Sequence, residues 1–148
     1  MAGSKADTWE NGQLLLLFNN TTFTLVGDAA GLLKSAADGS LYISLHTADP
    51  GEAGDQTTSE AAYTGYARVG VARTAAGWTV TANSVANAAA ITFGLDTSGT
   101  SVVTHFGVGT SATTAGKLLY SGSLTAPLTI NPGITPSFAI GALVITES

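Results

Sequence analysis

Apolar and polar positions alternate through most of this chain. In Leu41-Tyr42-Ile43-Ser44-Leu45-His46, the residues Leu41, Ile43 and Leu45 share one face and Tyr42, Ser44 and His46 the other. That is the two-residue period of a half-buried strand. The run closes at Asp49-Pro50-Gly51, where proline fixes φ, glycine tolerates positive φ, and the aspartate side chain bonds the turn backbone. With 41–47 as the first strand, similar runs at 65–74, 77–82, 89–93, 102–110, 117–124, 128–130 and 137–146 predict the rest, with Gly141 as a break point in the last. Gly, Asn, Asp or Pro separates most of them. Seven or eight short strands with regular turn signals predict a mainly β chain, a single-domain antiparallel β-sandwich of jelly-roll type. Greek-key and meander orders share this pattern, so strand order stays open.

The chain before residue 40 reads differently. Residues 1–8 are small and polar and form an N-terminal arm. Thr8 is placed to cap a short helix starting near Trp9 and Glu10, with Leu14, Leu15, Leu17 and Phe18 as its apolar face. Gly12 weakens that helix, and residues 14–18 also read as a strand; the helix is the preferred reading. Residues 27–39 are loop, punctuated by Gly27, Gly31 and Gly39. The expected organisation is an arm over 1–8 and one β-sandwich domain over 9–148.

Composition narrows the class. At 148 residues one domain buries roughly 68–70% of its unfolded surface, enough for a core without staples. There is no cysteine, which removes disulfides, thiolate metal sites and thiol catalysis. Charged residues make up 10% of the chain, against about 25% in an ordinary domain, and mean hydropathy is +0.30. No apolar run approaches the ~20 residues of a membrane-spanning helix. So apolar a chain points either to surface hidden against neighbours or, equally on composition alone, to a Thr/Ser-coated β protein that is simply soluble. Net charge is −5. Lys5, Lys34, Arg68, Arg73 and Lys117 are scattered, so the basic footprint of a nucleic-acid binder is missing.

Each polar constellation falls short of a reactive site. His46 and His105 lie on distant strands, and zinc wants three or four ligands at recognisable spacing. Asp49, Glu52, Asp55 and Glu60 cluster on one loop without EF-hand spacing, as a solvated acidic loop would. Tyr120-Ser121-Gly122-Ser123 does not match a nucleophile elbow. Gly107-Val108-Gly109 lacks the third glycine and helix of a dinucleotide loop and marks close backbone approach within a strand. No catalytic role can be filled by name. Trp78 and Tyr63 are candidate surface rings for a partner or a sugar, whereas Phe93, Phe106 and Phe138 are expected in the core.

Four segments together are distinctive: Leu41-Tyr-Ile-Ser-Leu-His-Thr-Ala-Asp-Pro-Gly-Glu-Ala-Gly54, Tyr63-Thr-Gly-Tyr-Ala-Arg-Val69, Val103-Thr-His-Phe-Gly-Val-Gly109 and Lys117-Leu-Leu-Tyr-Ser-Gly122. In order and spacing, from about Trp9 onward, the chain resembles a family of small tailed-bacteriophage virion proteins, loosely labelled tail fibre or minor structural protein. Comparable small β proteins serve as head decoration, or cement, proteins. The resemblance brings no catalytic residue, cofactor or metal ligand. The chain has no collagen-like, heptad or β-helix repeat to build a shaft. The expected function is therefore a capsid decoration protein bound to the major capsid protein on the virion surface. The alternative is a tail, baseplate or fibre component acting in host adsorption, with tail proteins as partners and glycan binding through Trp78, Tyr63 and the acidic loop. A homo-oligomer is expected, a trimer favoured, with no nucleic-acid or membrane partner. Contacts are expected from Ala2, Lys5, Asp7 and Trp9, from one sheet edge, and from Tyr63 and Trp78.

Overall fold

The structure, a computed structural model, describes residues 3–148. Its elements are α1 (Asp7–Asn19), β1 (Ser40–His46), β2 (Val69–Ala72), β3 (Trp78–Thr81), β4 (Ser84–Asn87), β5 (Ile91–Thr92), β6 (Ser101–Gly109), β7 (Leu118–Ile130), β8 (Ser137–Phe138) and β9 (Val144–Thr146). The chain is mainly β, its paired strands antiparallel, with one short helix near the N-terminus, consistent with the sandwich class expected. It forms two compact units. One comprises the chain up to Gly39 with Ala72–Ala90 and Phe138–Ser148; the other comprises Ser40–Val71 and Ile91–Ser137.

In the first unit, α1 lies against a three-stranded sheet of order β3-β4-β9. Leu14 and Phe18 come from the helix, Trp78 and Val85 from the hairpin, and Leu143 and Ile145 from the C-terminal segment. All six are buried. Phe18 meets Trp78 edge-on at 4.8 Å, the offset that the ring quadrupoles favour. The helix begins at Asp7, earlier than Thr8 capping would allow. Ala6 is extended, and its carbonyl already accepts the N–H groups of Trp9 and Glu10 at 2.8 and 3.1 Å. Thr8 therefore lies inside the first turn and does not cap. At the other end Asn20, left-handed at φ 48°, stops the helix, a conformation asparagine tolerates better than most residues.

Strand β4 is absent from the sequence reading. It follows β3 through a two-residue turn, Thr81 facing Ser84, with Ala82 at φ 52°. Glycine is the usual residue at such a position, so the turn carries no signal. Buried Asn87, at the end of β4, holds the C-terminal segment. Its amide nitrogen donates to the Ala89 and Ala139 carbonyls, each at 2.8 Å, and its amide oxygen accepts from Leu143 N–H at 2.9 Å.

The second unit is built on a four-stranded sheet of order β2-β1-β6-β7. The central pair sets Ile43 against Val108 and Leu45 against Phe106, and these four side chains are buried. Ser44 and His46, on the opposite face of β1, are buried as well. Gly107 and Gly109 are where the sheet is approached most closely. A Cβ on Gly107 would stand 2.6 Å from both His46 Nε2 and Ser44 Oγ, and one on Gly109 would stand 2.2 Å from the Gln56 side chain. The close approach expected for Gly107-Val108-Gly109 is thus present. Residues 117–124 and 128–130, expected as two strands, are one strand, β7, with a bulge: Val103 faces Leu128 and His105 faces Ser123, so 124–127 stand opposite Thr104 alone.

Candidate functional site

The residues singled out from the sequence fall into three groups. Ala2 lies outside the described residues. Lys5 makes an ion pair with Glu147, Asp7 is exposed in the first turn of α1, and Trp9 is 39% exposed with its ring 5.5 Å from Phe23. Tyr63 and Trp78, by contrast, are interior. Trp78 is fully buried against Phe18. Tyr63 is 4% exposed, and its hydroxyl donates to the Gly94 carbonyl at 3.0 Å. Burial raises the Tyr63 pKa, with the nearby Asp96 charge adding to the effect. Neither ring is available to a partner or a sugar. A large ring contributes most when it is fully removed from water, and each found its packing partners far away or in loops that periodicity does not reveal.

The acidic loop does not converge. Asp49 accepts from Gly51 N–H at 2.9 Å. Asp55 accepts from the Thr57 hydroxyl and N–H at 2.6 and 2.8 Å, and the Thr57 bonds hold its carboxyl below the usual carboxylate range. Glu60 faces away to Arg68 in a two-pronged pair, Nε to Oε1 at 2.7 Å and Nη2 to Oε2 at 2.8 Å. Arg68 Nη1 also donates to the carbonyls of Ser111 and Thr114. The guanidinium thus ties the loop before β7 to Glu60 by its planar fork.

His46 and His105 face each other directly across β1 and β6, so the two histidines do meet. Both ring nitrogens of His46 and Nδ1 of His105 have other hydrogen-bond partners. His46 Nδ1 is 2.8 Å from the Thr58 carbonyl, which can only accept, so Nδ1 carries the proton. Nε2 then accepts from Ser44 Oγ at 2.8 Å. Desolvation lowers the His46 pKa, which keeps the ring neutral. This is the geometry of a nucleophile and its base, but both side chains are fully buried, which denies a substrate access. His105 Nδ1 pairs with Thr104 Oγ1 at 2.8 Å. Among the described residues no group of three or more His, Cys, Asp or Glu is arranged to hold a metal.

What the surface does present is apolar side chains and a groove beside β7, a terminal strand of its sheet. Leu25 is 81% exposed and Leu33 70%, with Leu32 and Trp9 also on the surface of the first unit. Leu25 holds φ 64°, a conformation costing an L-residue roughly 1–2 kcal/mol. In the second unit a groove of about 370 Å³ runs between Asp49, Gly51, Glu52 and Gly54 on one side and residues 118–121 of β7 on the other. Composition pointed to apolar surface and a sheet edge was expected to make contacts, but neither these leucines nor the groove was named, since neither leaves a motif.

The polar clusters of this β-rich chain hold loops, and its surface carries large apolar side chains. The comparison with known families is more particular. Residues 6–146 match the family described as Podophage GP4 fiber I protein gp80, and the chain belongs to that family of phage virion fibre proteins. No curated protein matches it.

Proposed function

We propose that this protein is a component of the fibre apparatus on the phage tail and works by surface contact without catalysing a reaction. The observation that carries the proposal is family membership across nearly the whole chain, residues 6–146. It favours the fibre alternative over capsid decoration, the reading first expected. The exposed leucines and Trp9 supply apolar area of the kind that contacts between virion proteins bury. Partners are neighbouring tail proteins and further copies of the chain, for which a trimer was the expected state. Several copies held together convert weak individual contacts into firm attachment by raising effective concentration. Adsorption to the host would then draw on exposed residues, because Tyr63 and Trp78 are interior.

The test is adsorption kinetics with monovalent Fab fragments raised against the purified protein. A fibre component in host contact predicts a slower adsorption rate constant at saturating Fab. An unchanged rate on virions shown to carry bound Fab contradicts the adsorption role.

A further inference from the structure

We infer that Leu25 is a hook for self-association, which seats in the groove beside α1 of a second copy across a two-fold axis. Leu25 combines two costs. Its φ of 64° lies in the left-handed region, which L-residues avoid and glycine or asparagine accept. Its side chain is 81% exposed, so leucine gains almost no burial in return. The conformation is nonetheless held. Phe23 and Leu32 close the loop with two backbone hydrogen bonds, of 3.0 and 2.8 Å. Within it Asp28 Oδ1 accepts from the Ala30 and Gly31 N–H groups at 2.8 and 3.0 Å. A strained residue fixed by its surroundings points to a role outside the local fold. Trp9, whose ring meets Phe23, and Leu32, paired with Phe23, extend the apolar surface beside it.

The surface next to the hook fits a second copy. A groove of about 450 Å³ is lined by Gly12 and Leu15 of α1, by Phe23 and by Ala82, and it has room for a leucine side chain. Phe23 can lie on the helix there only because residue 12 is glycine, since a Cβ would stand 2.5 Å from its ring. Thr22 and Thr24 line the groove as well, so the hole ends where the hook begins. Knob and hole adjoining on one patch are what an isologous contact requires, because the two-fold places each hook in the other copy's groove. Charge agrees. Asp7 lines the groove, and Lys34, whose N–H donates to Thr22 Oγ1 at 3.2 Å, lies on the same patch. Both are exposed, and neither makes an ion pair among the described residues. The same rotation sets Lys34 of each molecule against Asp7 of the other. The dimer supplies one partner for the contact role proposed above and rests on that role for its use on the virion. Association itself is read in solution, so a monomer would leave the adsorption role standing and unchanged adsorption would leave the dimer standing.

Sedimentation equilibrium of the full chain tests it, with thermal unfolding of dilute protein as the check on each fold. The unaltered protein is expected to dimerise. Leu25→Asn removes the hook and places a residue that tolerates positive φ, so the dilute variant should melt no lower than its parent. Its association is expected to weaken at least about tenfold. Asp7→Lys and Lys34→Glu are each expected to weaken association by about threefold or more, through like-charge juxtaposition. The double variant carrying both changes should recover it. A protein still monomeric at hundreds of micromolar, association unchanged by Leu25→Asn, a double variant no tighter than the singles, or a trimer would each overturn the inference.

Discussion

Removing the guanidinium of Arg73 should loosen both the end of α1 and the long loop that follows it. No basic residue lies in the last turn of the helix, where a cation would offset the partial negative charge of the free carbonyls. Arg73 supplies it from the segment before β3. Its Nε donates to the Leu17 carbonyl at 2.5 Å and Nη2 to the Leu16 carbonyl at 2.7 Å. On its other side Nη1 reaches the Asp38 carbonyl at 3.2 Å and Ser35 Oγ at 3.3 Å, and Nη2 reaches Asn20 Oδ1 at 3.4 Å. A charged hydrogen bond contributes about 1.5–3 kcal/mol, and a cation at a helix C-terminus about 0.3–1 kcal/mol. Only the two short bonds merit full weight, and the half-exposed site lets water replace part of what is lost. Arg73→Ala is therefore expected to cost about 2–3 kcal/mol in urea unfolding. For a chain of this size that lowers Tm by roughly 5–10 °C. Arg73→Lys keeps the charge but not the fork that spans helix and loop, and should lose about half as much. Hydrogen exchange in 21–38 should speed up in both variants. A loss below about 0.5 kcal/mol for Arg73→Ala, with exchange unchanged, would refute the clamp.

Asn87→Ala strips the acceptor from the buried Leu143 N–H and the donors from the part-buried Ala89 and Ala139 carbonyls, and is expected to destabilise by about 2–3 kcal/mol. Asn87→Asp, which keeps the acceptor facing Leu143, should still lose the bonds to Ala89 and Ala139; thermal unfolding reads both. Gly107→Ala drives a methyl into His46 and Ser44 and should cost about 1–3 kcal/mol by overpacking. Gly3→Ala, with nothing within 4 Å, is the control expected to be silent in the same denaturation assay. His46 is neutral in the fold because burial lowers its pKa, so the unfolded chain binds more protons just below the ordinary histidine value of about 6.5. Stability should then fall as pH drops from 7 through that value toward the depressed folded-state pKa. His46→Gln should flatten the slope between pH 7 and 5.5; an unaltered slope would remove His46 as its source.

Strand positions were legible where burial on one face imposed a two-residue period. Residues 41–47 and 102–110 differ from the observed β1 and β6 by one residue at each end. Legibility failed where a side chain departs from local rules. Ala82 turns a hairpin with positive φ, so β4 left no turn signal. Gly65, read as the start of a strand, has φ 101°, and a Cβ there would stand 2.2 Å from the Leu95 carbonyl; the strand begins only at Val69. The candidate contact residues fared less evenly, for a reason of range. Trp78 is buried by Phe18, sixty positions away, and no local pattern encodes that. Glu60 sat within an acidic cluster in sequence, yet its charge belongs to Arg68. Arg68 and Arg73 themselves looked like scattered surface cations, because the carbonyls they hold carry no side-chain signature.

The most direct test of the account is to locate and count the protein on intact virions, by cryo-electron reconstruction with gold-labelled Fab as a marker. The fibre reading predicts signal at the tail and a copy number from a few to a few dozen. Even coverage of the head, at hundreds of copies, would contradict it and establish the protein as a capsid decoration.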